Sequence, residues 1–132
     1  MKKLIVETTR KTEVLNVTAL IEQAAREIGD GVALISVQHT TAALLLCEDD
    51  DEMRADLERV AERWLEALEP FRHRRNNNPN AAAHVLSAFG GTHLILSIAG
   101  GKLEVGTYQN ALLLEMDGPK KRELWVRAIK GA

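Results

Sequence analysis

The chain has 132 residues, 45% of them apolar, which suits the core of one domain. Lysine and arginine number 17 against 19 aspartates and glutamates, a formal net charge of -2, so the chain lacks the broad basic surface that a phosphate backbone demands, and nucleic acid is not the expected partner. No segment has the apolar length of a membrane span or a signal-peptide core, and the single cysteine, Cys47, has no internal disulfide partner; the expectation is a soluble, cytoplasmic protein.

In chain order, "KLIVETT" and "EVLNVT" are short and rich in β-branched residues, and the polar pair between them suggests the two strands of an opening hairpin. "TALIEQAAREIGDG" reads as a helix of about three turns, with Thr18 as its cap and Gly29 as its stop. "GVALISVQHT" and "TAALLLCE" follow as strands, the first ending at His39. From Asp50 to Glu69, Met53, Leu57, Val60, Ala61, Trp64, Leu65 and Leu68 recur every three or four residues, which predicts the longest helix, with acidic residues at the positive end of its dipole. "FRHRRNNNPN" is a loop. Asn78 as cap, Pro79 as first helical residue and Gly90-Gly91 as stop then frame a short helix. "THLILSI", "KLEVG", "TYQNALLLEM" and "RELWVRAIK" close the chain as antiparallel strands. The order predicts a single α+β domain over residues 1–132, with mainly antiparallel sheets and three helices.

His39, His73 and His84 lie where elements end or where a loop is polar. Three imidazoles with an open position would make a catalytic metal centre, but their spacing matches no short metal signature, and three ordinary surface or hydrogen-bonded histidines fit the same pattern. His93 alternates with Leu94 and Leu96 and reads as structural. Asp49, Asp50, Asp51 and Asp56 are explained by a helix start, whereas Glu48 stands outside the helix at a strand end, where it could take up a proton or join a metal shell. Cys47 has acidic neighbours, which oppose thiolate formation, so it reads as a small buried hydrophobe. Arg72, Arg74 and Arg75 around His73, and Lys120, Lys121 and Arg122 after "DGP", are two basic clusters whose default reading is a solvated face and which could also bind a phosphorylated small molecule. "FGGT" and "AGGK" precede strands and are not phosphate loops.

Taken together, "QHTTAALLL", Glu48, Asp56, "FRH", "NPNAAAH", "GGKLEVGTYQN" and "EMDGPKKR" resemble, over nearly the whole chain, the YjbQ family, UPF0047. The resemblance implies an α+β fold, a homotrimer and a secondary thiamine-phosphate synthase activity. It matches the family's three motif histidines to His39, His73 and His84, and also marks Glu48, Asp56, Gln109 and Glu115. The chain departs from the pattern at Cys47 (asparagine in the family), Tyr108 (tryptophan) and Lys120 (often arginine). Tyrosine keeps a ring with a polar tip, whereas lysine loses the bidentate fork of arginine.

The expectation drawn from residues and resemblance together is an enzyme that joins a pyrimidine pyrophosphate to a thiazole phosphate with release of pyrophosphate. A divalent ion, zinc or magnesium, would sit on His39, His73 and His84. Glu48, His39 and Gln109 would be catalytic, and Arg72, Arg74 and Lys120 would face the phosphates. The alternatives are a metal-dependent hydrolase of a small phosphorylated metabolite and a non-catalytic trimeric module that binds a metal or metabolite.

Overall fold

The computed structural model describes residues 1–74 and 79–129. The elements run β1 (Lys2–Glu7), β2 (Glu13–Asn16), α1 (Thr18–Ala25), β3 (Gly31–Val37), β4 (Ala42–Cys47), α2 (Asp51–Ala67), α3 (Ala81–Gly90), β5 (His93–Ala99), β6 (Lys102–Glu104), β7 (Asn110–Glu115) and β8 (Lys121–Ile129). The strands form two antiparallel sheets, a larger one ordered β1-β8-β3-β5-β6 and a smaller one ordered β2-β7-β4, so with three helices the fold is α+β.

The inner faces of the two sheets share one core. Ile35, Leu96, Leu124 and Val126 of the larger sheet meet Leu44 and Leu113 of the smaller one, and Ile21 and Ala25 of α1 pack against the same cluster. Burial of each large aliphatic side chain contributes about 1.5–3 kcal/mol. A second cluster, Ala43, Ala83 and Met116 with Leu65, Leu86 and Leu114, joins α2 and α3 to the opposite face of the smaller sheet. The small alanines let the helices approach closely: Ala43 is fully buried, and a Cβ placed on Gly90 would lie only 3.1 Å from the Ala43 Cβ.

The opening strands are not a hairpin. β1 pairs with β8 while β2 pairs with β7, and Glu13, almost buried, ties the intervening loop by accepting from the Thr9 amide at 2.8 Å and the Thr9 hydroxyl at 3.0 Å. β3 and β4 likewise belong to different sheets, so Gln38 to Thr41, with His39, form the crossing between them. Thr18 is the first helical residue rather than a cap, because its hydroxyl is engaged with the Ala111 amide at 2.9 Å. Gly29, with φ of +74°, lies beyond the end of α1 in a conformation that favours glycine. α2 starts as the acidic run suggests, with Asp50 accepting from the Met53 amide at 2.7 Å. Asn80 stands at the N-cap position of α3 without a side-chain capping bond, which puts Pro79 before the helix and not inside it; the cap expected at Asn78 lies outside the described residues. His93 is exposed, on the outer face of β5 with Ile95, and its Nδ1 lies 2.9 Å from the Thr92 hydroxyl, so it is no part of the core.

Candidate functional site

Strand register brings the candidate residues together at one end of the molecule. Pairing of Val37 with Leu124 and of Ala42 with Glu115 sets the β3–β4 crossing beside the β7–β8 turn. The floor between them is a buried ion pair. Arg122, 1% exposed, donates from Nε to Glu115 Oε1 at 2.9 Å and from Nη2 to Glu115 Oε2, and Nη2 also reaches the Thr41 hydroxyl at 2.8 Å. Glu115, with no exposure, accepts further bonds from the Thr8 hydroxyl at 2.7 Å and from the Met116 and Asp117 amides at 3.0 and 3.1 Å. Burial alone would push its carboxyl up; the bonds from Arg122, Thr8 and the Asp117 amide outweigh burial and hold it below the usual range. With its partners satisfied, this carboxylate is structural and not a free base.

Above the floor is an open pocket of about 390 Å³ whose lining includes His39, His84, Lys120, Asn80, Asp117 and Arg122. The half-buried His39 accepts at Nε2 from the Glu123 backbone amide at 2.9 Å. Burial, and then the charge of Arg122, depress its pKa below 6.5, so the ring is neutral at pH 7 and carries its proton on Nδ1. His84, one turn into α3, has Nδ1 3.0 Å from the carbonyl oxygen of Thr40. A carbonyl only accepts, so Nδ1 donates and, in the neutral ring, Nε2 keeps a free lone pair. The two rings share a tautomer but leave opposite ends free, an N–H donor on His39 and an acceptor on His84. Lys120 donates to Asp117 Oδ2 at 2.8 Å and to the Asp117 carbonyl, which leaves one ammonium N–H for a ligand. Asp117 also accepts from the Asn80 amide at 3.1 Å; burial pushes its carboxyl up, and the bonds from Lys120 and Asn80 override burial to hold it low.

The other candidates are distributed differently. His73 stands edge-on to His84, with ring centroids 5.1 Å apart and planes at 85°. Arg72 and Arg74 are exposed and do not line the pocket. Arg75 lies outside the described residues. Glu48 is exposed just beyond the far end of β4, about 20 Å along the strand direction from Ala42 at some 3.4 Å per residue. Gln109 is at that same far end, since Cys47 pairs with Asn110, and its Oε1 accepts from the Gly106 amide at 2.8 Å. Asp56 is exposed on α2. Within one chain, therefore, a three-imidazole ion centre does not fit: the His39 lone pair is taken by the Glu123 amide, and the described residues hold no group of three His, Cys, Asp or Glu side chains suited to an ion. Asn80, Asp117 and the floor residue Arg122 were not singled out individually by sequence reasoning. The signal for Arg122 is its parity, because it shares the inward face of β8 with Leu124 and Val126.

Fold and pocket define a two-sheet α+β protein with a polar pocket at the crossing between its sheets. The chain belongs to the family described as UPF0047 protein YjbQ-like, whose model matches residues 2–131. It is similar to a UPF0047 protein of Archaeoglobus fulgidus, with 31% identity over 96% of this chain and 99% of that protein, and to the UPF0047 protein YugU of Bacillus subtilis, with 30% identity over 98% of each. Among solved structures it resembles a hypothetical protein of Aeropyrum pernix, with a TM-score of 0.90 and 29% identity over 98% of each chain. It also resembles an uncharacterised YjbQ/UPF0047 protein of Clostridium acetobutylicum, with a TM-score of 0.88 and 26% identity over 98% of this chain and 100% of that one. No helix among the described residues is long and apolar enough to cross a membrane.

Proposed function

We propose that the pocket between His39, His84 and Lys120 binds the phosphate of a small metabolite, and that the protein is an enzyme acting on that metabolite. The observation that carries this reading is the pair of imidazoles oriented by backbone groups in the same pocket, His39 with its Nε2 taken up by the Glu123 amide so that Nδ1–H is offered, and His84 with Nδ1 on the Thr40 carbonyl so that Nε2 is the end left for a ligand. A phosphate monoanion has an oxygen to accept from His39 and from Lys120, and a P–OH to donate to His84. Held over the buried Arg122–Glu115 pair, the three groups stay in place as charge develops on a departing phosphate oxygen, which is where preorganised donors lower a barrier.

The form of this chemistry that the family resemblance favours is thiamine-phosphate synthesis: the thiazole nitrogen bonds to the methylene carbon of the pyrimidine as the carbon–oxygen bond to pyrophosphate breaks. No base is needed for that step. The His39 N–H and the Lys120 ammonium would stabilise the leaving pyrophosphate, and the step draws on neither Glu48 nor Gln109. The uncovered outer face of the larger sheet, with Ile5 and Ile95 exposed, supports assembly with further copies, such as the implied homotrimer.

The test is product analysis by mass spectrometry after incubation with the pyrimidine pyrophosphate and the thiazole phosphate, beside a panel of phosphoesters. The expected result is thiamine phosphate and pyrophosphate in equal amounts, with the rate lowered about 10²–10³-fold in Lys120→Ala or His39→Ala. Phosphoester hydrolysis without the coupled product would favour the hydrolase, with His84 Nε2 activating water; no turnover of either would overturn the enzymatic reading.

A further inference from the structure

The phosphate pocket has a neighbour. Beyond the Asn80–Asp117 hydrogen bond of 3.1 Å lies a cleft of about 360 Å³ between the end of α2, the start of α3 and the segment at Lys11, and Asn80 and Asp117 line both spaces. Its character is different. Leu65, Ala82, Ala83 and Met116 give it an apolar floor, whereas the phosphate pocket is lined chiefly by polar side chains. Among the described residues its rim carries Glu66 and Glu69 against Lys11, and the shared Asp117 is already paired with Lys120. A second phosphate would meet repulsion there, and an organic group would bury against aliphatic carbon.

We infer that the two spaces are the halves of one binding site, and that the ligand is a phosphate monoester whose compact, uncharged or cationic ring occupies the cleft at Lys11 while its phosphate lies between His39 and Lys120. The proposal rests on the phosphate reading of the first pocket and adds the class of the organic part. A volume of about 360 Å³ is room enough for one ring with short substituents. Asn80 and Asp117 line both halves: the Asn80 amide has an N–H to donate to the linking ester oxygen, and the ionised Asp117 carboxylate has lone pairs to accept from a ring N–H.

The experiment is isothermal titration of the full chain with inorganic phosphate and with benzyl phosphate, before and after Lys11→Trp, a substitution at an exposed side chain on the cleft rim that introduces an indole large enough to fill the space. The readout is the ratio of the two dissociation constants, with thermal unfolding confirming that the variant is folded. The expected ratio favours benzyl phosphate at least about tenfold in the native chain and falls to within about twofold in Lys11→Trp. A native ratio near one, or a ratio unchanged by Lys11→Trp, overturns the two-part site while leaving the phosphate pocket standing. Failure of inorganic phosphate to bind at all removes the phosphate reading, and this proposal with it.

Discussion

At the scale of single residues, His39 links the site to stability. Its neutral ring is favoured in the folded chain by burial first and by the positive Arg122 second; Glu123 and Glu115 pull the other way with less effect. In the unfolded chain it would take a proton near pH 6.5. Between the folded and unfolded values the unfolded state binds more protons, so the contribution of this ring is fully present above pH 6.5 and is lost as the pH falls below it. Denaturant unfolding of the native chain and of His39→Gln from pH 7.5 to pH 5 should show the native chain losing stability faster, by no more than the one-proton limit of about 1.4 kcal/mol per pH unit. Parallel profiles would show that the imidazole is not held neutral. Arg122 shows why part of the site escaped sequence reading. It follows Lys120 and Lys121, and a run of three basic residues reads as a solvated face, although strand alternation alone aligns it with Leu124 and Val126. Its buried partner Glu115 was marked by resemblance and not by spacing, because an ion pair closed between the end of one strand and the start of the next leaves no periodic trace.

At the scale of elements, the β7–β8 turn fixes the buried ion pair and the polar pocket above it together. A Cβ on Gly118 would lie 2.2 Å from the Arg10 carbonyl oxygen, 2.8 Å from Glu115 Cγ and 2.9 Å from the Thr8 hydroxyl, and two of those neighbours belong to the network that holds Arg122. Gly118→Ala is therefore expected to destabilise the fold by about 1–3 kcal/mol or more, measured by urea unfolding, because the nearest atom is backbone and cannot rotate away. A change within a few tenths of a kcal/mol would mean that the turn shifts freely. Elements with strong internal periodicity were legible: α2 has its apolar residues at helical spacing and its acidic cap at Asp50, and each strand of the closing set occurs where its β-branched and leucine-rich run stands. Partners were less legible. β1 and β2 are adjacent in sequence, yet each pairs with a strand about a hundred residues away, because four to six residues of alternating character specify a strand and not its neighbour.

At the scale of the whole molecule, the two sheets act as a frame whose crossing brings together groups from β3–β4, α3 and β7–β8. The histidines at 39 and 84 share one pocket, and the β3–β4 crossing, Gln38 to Thr41, is tied to the α3–β5 link, Gly91 to Thr92, by the Val37 amide bonded to the Thr92 carbonyl and the Leu44 amide to the Gly91 carbonyl, each at 2.9 Å. The same frame sends Glu48 and Gln109 to the opposite end, which sequence order concealed since Glu48 is only nine residues from His39. In the proposed site the frame presents one imidazole by its N–H and the other by its lone pair to a shared anion. Two-bond proton–nitrogen correlation spectra of the imidazoles at pH 7.5, recorded with and without inorganic phosphate, test it most directly. The expected result is the Nδ1–H tautomer for both His39 and His84, with phosphate shifting His39 Nδ1 and His84 Nε2 together. An Nε2–H tautomer at either ring, or spectra unmoved by phosphate, would contradict it.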